Sequence, residues 1–219
     1  MFKRIAFAAC ALMLASAPAF AQKAELGVTF GWVISDGVDF GSSVVAPGGV
    51  YSRVDPKDSF GWGIDLGFFV GPNAEVGFLY GQQLSKLEVS GTKIVDVGDM
   101  TISTYHGTFT YNFGAHDAAV RPYLMGGLGA TSFGSVDYVG NRGPGTINSS
   151  TRFSTTWGAG AKFYGASKVG ARVGVLWTPT YISSEAAGYW CDPYWGCYLV
   201  GNAKYSNQFE LQGGVTFRF

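Results

Sequence analysis

The residues with the widest chemical reach are few. His106 and His116 are the only histidines in 219 residues. A histidine base for a hydroxyl nucleophile must therefore be one of these two, with a carboxylate to orient it. Cys191 and Cys197 stand close together in an aromatic run, Trp190-Cys191-Asp192-Pro193-Tyr194-Trp195-Gly196-Cys197-Tyr198. Zinc needs more ligands than these two, and no histidine lies nearby, so neither a metal nor a cofactor is expected. Gly61-x-Gly63, Gly127-x-Gly129 and Gly158-x-Gly160 fail as nucleotide loops: Leu66, Ser132 and Phe163 stand where a third glycine belongs, and no helix follows. What remains is a set of charges, Glu25, Asp65, Glu75, Arg121, Arg152, Lys162, Arg172, Glu210 and Arg218, each lying within an alternating apolar and polar stretch.

Those stretches must position the charges, and the last is the clearest. Tyr205, Phe209, Leu211, Val215, Phe217 and Phe219 fall on odd positions; Gln208, Glu210, Gln212, Thr216 and Arg218 fall on even ones. A strand with one greasy face and one charged face needs two solvents, and lipid outside with a polar lumen inside supplies them. Seven further stretches alternate in the same way, at about 24–34, 59–70, 74–87, 99–113, 120–133, 151–164 and 169–181. The connections alternate too. Gly71–Asn73, Gly114–Ala119 and Gly165–Lys168 are short, whereas Ser35–Asp58, Glu88–Gly98, Gly134–Ser150 and Ile182–Asn202 are long and rich in Gly, Ser, Asp and Asn. Short turns on one side and long loops on the other predict an all-β, eight-stranded, antiparallel, up-and-down transmembrane barrel with its long loops outside the cell. Trp32, Trp62, Trp157 and Trp177 lie toward the long-loop ends and are expected to form the outer aromatic girdle; Tyr111, Phe113, Phe163 and Phe219 are expected to form the inner one.

Composition fits a chain that crosses with strands. Hydrophobic residues make up 47% and aromatics 16%, yet 33 glycines and frequent polar residues break the apolar runs, so no membrane helix is expected beyond residue 21. Residues 1–21 read as a cleaved signal peptide: Lys3 and Arg4, an apolar stretch from Ile5 to Leu14, and the small-x-small site Ala19-Phe20-Ala21. Cys10 lies inside that stretch. The barrel is then the single domain 22–219. Without Lys3 and Arg4 the chain carries 13 basic and 15 acidic residues, which gives no basic surplus for nucleic acid. Export to an oxidising compartment favours a Cys191–Cys197 disulfide.

On these residues the chain resembles the small outer-membrane barrels of Gram-negative bacteria, the OmpA/OmpX-like group and its outer membrane protein β-barrel domain relatives. The most specific piece is the closing motif of Gln212, Gly214, Phe217 and Phe219. The resemblance implies that this motif is read by the barrel-assembly machinery, with periplasmic chaperones in transit and outer-membrane lipid and lipopolysaccharide as the surroundings of a monomer. With Phe219 as the last residue, no soluble periplasmic segment is expected after the barrel, and no peptidoglycan-binding role is expected to carry over. Relatives that acylate or deacylate lipid A need their nucleophile and base near the outer leaflet. His106 is expected inside the barrel near mid-membrane, bonded to Thr or Tyr neighbours rather than acting as a proton-sensitive gate. His116 is expected in a periplasmic turn, so no enzyme is expected.

Three roles stay open at this stage. The inward charges can form an ion-pair plug in a structural or surface-interacting barrel, which is the favoured reading. They can instead line a narrow channel for small solutes. Or the loop 182–202 can act as an adhesin, with Trp190, Tyr194, Trp195 and Tyr198 as aromatic anchors on a disulfide staple. The plainer alternative for that loop is rings packed over the barrel mouth.

Overall fold

The computed structural model describes residues 24–46, 49–115, 117–140, 143–165, 168–182, 189–192, 196–199 and 205–219. Residues 1–21, expected to be a signal peptide, and His116, Tyr194 and Trp195 lie outside them. Strands appear in the order β1 (Ala24–Ser35), β2 (Val38–Ala46), β3 (Gly49–Pro56), β4 (Ser59–Phe69), β5 (Ala74–Gly91), β6 (Val95–Asn112), β7 (Val120–Phe133), β8 (Val136–Gly140), β9 (Gly143–Ile147), β10 (Ser150–Tyr164), β11 (Val169–Tyr181), β12 (Tyr189–Asp192), β13 (Gly196–Leu199) and β14 (Tyr205–Arg218).

Eight of them close a barrel. Each of β1, β4, β5, β6, β7, β10, β11 and β14 pairs antiparallel with its neighbour, and β14 returns to β1. The seam runs from Glu25 opposite Arg218 to Ser35 opposite Gln208, and the Phe219 N–H extends it by donating to the Ala24 carbonyl at 2.8 Å. Closure removes every free edge from the membrane zone, as lipid requires of a spanning sheet. Alternation sets the two faces as expected: Phe30, Trp32, Phe60, Ile64, Phe78, Phe109, Leu124, Trp157, Val175 and Leu211 are exposed outward, while Glu25, Thr29, His106, Thr110, Lys162 and Arg172 are buried inward. At the short-turn end Gly114 takes φ +88°, a conformation open to glycine and strained for other residues.

An aromatic belt rings the long-loop side. Trp32 lies opposite Phe60, Phe30 opposite Trp62, and Trp157 opposite Trp177. The Trp62 indole N–H donates to Gln82 Oε1 and that of Trp177 to Asn207 Oδ1, both at 3.1 Å. Rings toward lipid with their N–H groups satisfied by polar neighbours suit the headgroup zone.

The long connections depart from expectation. Their described residues are mostly β-ladders: β2–β3 and the upper ends of β5–β6 continue the barrel wall, whereas β8–β9 and β12–β13 form separate two-stranded sheets. The connection Ser35–Asp58 contains the β2–β3 hairpin, and Gly134–Ser150 contains β8–β9. Glu88–Gly98 is mostly the joined ends of β5 and β6, each 18 residues long, well beyond the roughly 9–11 that a tilted crossing needs. In effect β3 and β4 are one bent strand on β5: Asp65 pairs with Leu79 low down, Val54 with Val89 high up, and the Lys57 N–H bonds to the Lys86 carbonyl between them. Within 182–202, β12 pairs with β13 so that Cys191 lies opposite Cys197, and β13 runs beside β2.

The physical reason is an inversion of polarity. Along β5 the inward side passes from Glu75 and Gln83 to Leu87 and Val89, while the outward side passes from Val76 and Phe78 to Lys86 and Glu88. Above the outer leaflet the sheet faces water, so its apolar side turns to the barrel axis. There Val38, Tyr51, Val54, Leu87, Val89, Met100, Ile102 and Val136 form a small apolar core of the kind a soluble sheet makes.

Candidate functional site

The inward charges sort into layers. The lowest is built on Lys162, whose ammonium lies 2.5 Å from Glu25 Oε1 and 2.9 Å from Glu75 Oε1. Lys162 is 2% exposed and Glu25 1%, so all three are cut off from water. Taking such charges out of water costs several kcal/mol each, and only close pairing with further hydrogen bonds offsets it. Those bonds are present. Tyr164 Oη donates to Glu25 Oε2 at 2.5 Å, and Asn112 Nδ2 donates to Glu75 Oε1 at 2.6 Å. Arg218 Nε approaches Glu25 Oε2 at 3.4 Å, and its guanidinium stacks 3.6 Å from the Tyr164 ring centroid.

Arg121 lies in the same part of the barrel but meets no carboxylate directly among the described residues. Its Nη2 donates to the Pro72 carbonyl at 3.0 Å and to Asn73 Oδ1 at 2.9 Å. It thereby ties the short turn after β4 to β7. Its Nε and Nη1 find no hydrogen-bond partner among the described residues.

The next layer pairs Arg172 with Asp65, and Arg172 Nη2 also donates to the Tyr123 hydroxyl at 3.1 Å. The Tyr123 ring stands between the two cations, 5.6 Å from Lys162 Nζ and 5.1 Å from the Arg172 guanidinium carbon. One aromatic ring thus lies against two like charges whose strands are adjacent, Lys162 opposite Arg172.

Two of the expected charges stay out of the network. Arg152 is half-buried on β10 and makes no ion pair among the described residues. Glu210 likewise has no bonded cation; Arg172 is the charged group that acts on it. Tyr164, Asn112, Asn73 and Tyr123 complete the network and were not among the expected site residues. Strand parity puts Tyr123, Tyr164 and Asn112 inward; nothing in the spacing says which charged group each would meet.

His106 is buried at mid-barrel as expected, but its partner is a serine: Nε2 lies 2.9 Å from Ser154 Oγ. Thr131 Oγ1 donates to the same oxygen at 3.0 Å, and Thr180 to Thr131 at 3.0 Å. The pair resembles a base beside a hydroxyl, but no carboxylate orients the ring, and Nδ1 has no partner among the described residues. Buried inside the barrel wall, the pair is out of reach of a lipid substrate. Higher still, Gln208 Nε2 donates to Gln83 Oε1 at 2.8 Å, and Gln83 also reaches Ser35 and the Lys57 carbonyl.

Above the membrane the charges face outward. Arg53 pairs with Asp36, Asp39 and Asp55. Hydrogen bonding to Asp55, with Asp36 beyond it, holds its guanidinium charged further above the ordinary arginine range. Lys57 bridges β3 to β5 through Glu88 at 2.5 Å. For Trp190, Cys191, Cys197 and Tyr198 only the backbone is described.

The closing motif lies on the β1–β14 seam. Gln212 and Gly214 face the lumen, and Phe217 and Phe219 face outward. A Cβ added at Gly214 would come within 2.8 Å of the Thr29 Cα, so glycine lets the first and last strands approach.

Comparison with known proteins agrees with this architecture. The barrel is similar to the outer membrane protein OprG from Pseudomonas aeruginosa, with 13% identity over 90% of this chain and 96% of that one and a TM-score of 0.62. Neisserial surface protein A (NspA) is 15% identical over 90% of this chain and 97% of its own, with a TM-score of 0.52. AlkL, an outer membrane protein solved in lipid bilayers, is 13% identical over 90% of each chain, with a TM-score of 0.55. At these identities the likeness concerns the fold alone. The chain has no match among curated proteins. It matches the outer membrane protein beta-barrel domain family over residues 7–219, and it belongs to that family and to the bacterial outer membrane.

Proposed function

We propose that this chain is a non-catalytic outer-membrane barrel with a structural or surface-interacting role, carried by the part of its wall that rises above the outer leaflet. The observation that supports this reading most is that the described lumen is filled at both ends. The Lys162 network occupies the periplasmic side, and the apolar core around Leu87, Met100 and Ile102 occupies the outer side. An eight-stranded barrel is just wide enough for its own side chains to fill. The alternative role, a narrow channel for small solutes, requires both layers to open. Planar-bilayer recordings on the purified, refolded protein separate the two: silent membranes are expected, and steady single-channel steps would replace this reading with the channel.

The assembly partners follow from the closing motif. Gln212, Gly214, Phe217 and Phe219 act as the address for the barrel-assembly machinery, with periplasmic chaperones delivering the chain. The mature barrel works as a monomer among lipid and lipopolysaccharide.

One observation favours a second reading, an adhesin acting through 182–202. The ladder register that sets Cys191 opposite Cys197 supports a disulfide staple on that hairpin. With the bridge formed, Trp195→Ala is expected to weaken binding of whole cells to a partner surface without lowering barrel assembly. Unchanged binding would confine the hairpin to covering the barrel mouth.

A further inference from the structure

Between the filled ends lies a cavity of about 40 Å³. Its polar lining includes Thr29, Gln83, Thr178, Gln208, Glu210 and Gln212. Water needs roughly 10–15 Å³ of such space, so the cavity holds about three particles of that size.

Glu210 is the odd member of the lumen. Glu25, Glu75 and Asp65 each touch a cation. Glu210 makes no hydrogen bond or ion pair with any described residue, and Arg172, the cation whose charge reaches it, is already bonded to Asp65. Gln212 is 4% exposed, lines the same cavity, and has no partner for its Nε2 among the described residues. Room for the carboxylate is made by a neighbour: a Cβ at Gly31 would lie 2.8 Å from Glu210 Oε1. Glu210 is half-buried and faces this cavity, and a lumen carboxylate with no bonded cation is costly unless a counter-charge or water reaches it. An orphan amide N–H beside it asks for an acceptor.

We propose that this cavity binds one monovalent metal cation, sodium or potassium, together with its remaining water. Glu210 supplies the charge, the Thr29 and Thr178 hydroxyls and the glutamine carbonyl oxygens supply neutral ligands, and Gln212 donates to a water on the ion. All of these are hard oxygen donors. Calcium collects several carboxylates and magnesium keeps a near-octahedral water shell; one carboxylate in so small a space suits neither. The Gln83–Gln208 bond closes the site from above, and the Arg172–Asp65 pair fills the lumen below it. The site is therefore a resting place for the ion, and it needs no conduction through the barrel.

The test uses the full mature chain refolded in micelles. Side-chain amide resonances of Gln83, Gln208 and Gln212 are followed by NMR while sodium or potassium chloride replaces N-methylglucamine chloride at constant ionic strength. Saturable shifts with the metal cations are expected, with no shift for the bulky organic cation and loss of the response in Glu210→Gln. Identical spectra in all three salts, or a Glu210 carboxyl carbon that reports the protonated acid at neutral pH, would overturn the proposal. The comparison of salts on the unmodified chain decides the matter even where Glu210→Gln does not refold.

Discussion

Lys162→Met isolates the contact that holds the lower layer together. In the folded barrel Lys162 serves two carboxylates, Glu25 at 2.5 Å and Glu75 at 2.9 Å, with all three groups buried. Methionine keeps most of the volume and removes the charge. Glu25 then retains Tyr164 and Arg218, but Glu75 retains only the Asn112 amide. Removing one partner of a buried pair costs about 3–5 kcal/mol, because the charge left behind is uncompensated. Two carboxylates lose a partner here, and Arg218 offsets part of the loss at Glu25, so about 3–5 kcal/mol is the expected total. At roughly 1.4 kcal/mol per tenfold, the folding equilibrium falls by a factor on the order of a hundred to several thousand. Urea unfolding of the barrel in lipid vesicles, followed by tryptophan fluorescence, reads this directly. Adding Glu75→Gln to Lys162→Met is expected to recover a large part of the loss, since the charge that was stranded is gone. If Lys162→Met unfolds at the unmodified protein's midpoint, the three groups are not buried together, and the layered lumen is wrong.

Three further outcomes follow from the same geometry. Leu87→Ala opens the apolar core above the membrane, and a truncation of this kind costs about 2–5 kcal/mol; hydrogen exchange should accelerate at Tyr51–Pro56 while Glu75–Gln83 on the β4 side keeps its protection. Arg53→Ala removes a partly exposed cation, and the expected change is about 1 kcal/mol or less and smaller at high salt, measured by urea unfolding at two ionic strengths. Phe219→Ala removes an exposed aromatic from the seam strand and should lower the amount of heat-modifiable barrel recovered from the outer membrane, with little effect on a barrel refolded in detergent; equal recovery in cells would detach the terminal aromatic from assembly.

The membrane-crossing part of this fold is legible in the sequence because each strand borders two solvents at once. Phe78 must face lipid and Gly77 must not, so parity alone fixes the side of nearly every residue from Glu25 to Arg218. The pairing of the lumen charges is not legible. Lys162 finds Glu75, 87 positions away, only because strand stagger brings β5 and β10 to one level across the barrel. Tilt and shear decide that level, and no local pattern records them. The same limit explains why Arg121 turns to a backbone carbonyl and Asn73 rather than to a carboxylate, and why Glu210 stands apart from Arg172's salt bridge.

The extracellular strands escaped for a different reason. Their alternation is present in Leu87, Val89, Val95 and Val97, and in β3 a register shift after Tyr51 carries it on to Val54, but its meaning reverses at the headgroups. A reading that assigns apolar residues to the outside breaks at the point where water replaces lipid, and the segments beyond then pass for loops. Polarity along β5 marks the crossing: inward Ser85 gives way to Leu87 just as outward Leu84 gives way to Lys86. One continuous wall therefore encloses two interiors, a charged one where the outside is apolar and an apolar one where the outside is charged. Each is stable only opposite its own solvent. A one-residue slip of β5 against β6 would move Leu87 to water and Lys86 to the axis at one level, and Glu75 to lipid and Val76 to the lumen at the other. Both solvents thus enforce the same register, which is why so long a hairpin stands above the membrane as an ordered extension of the barrel.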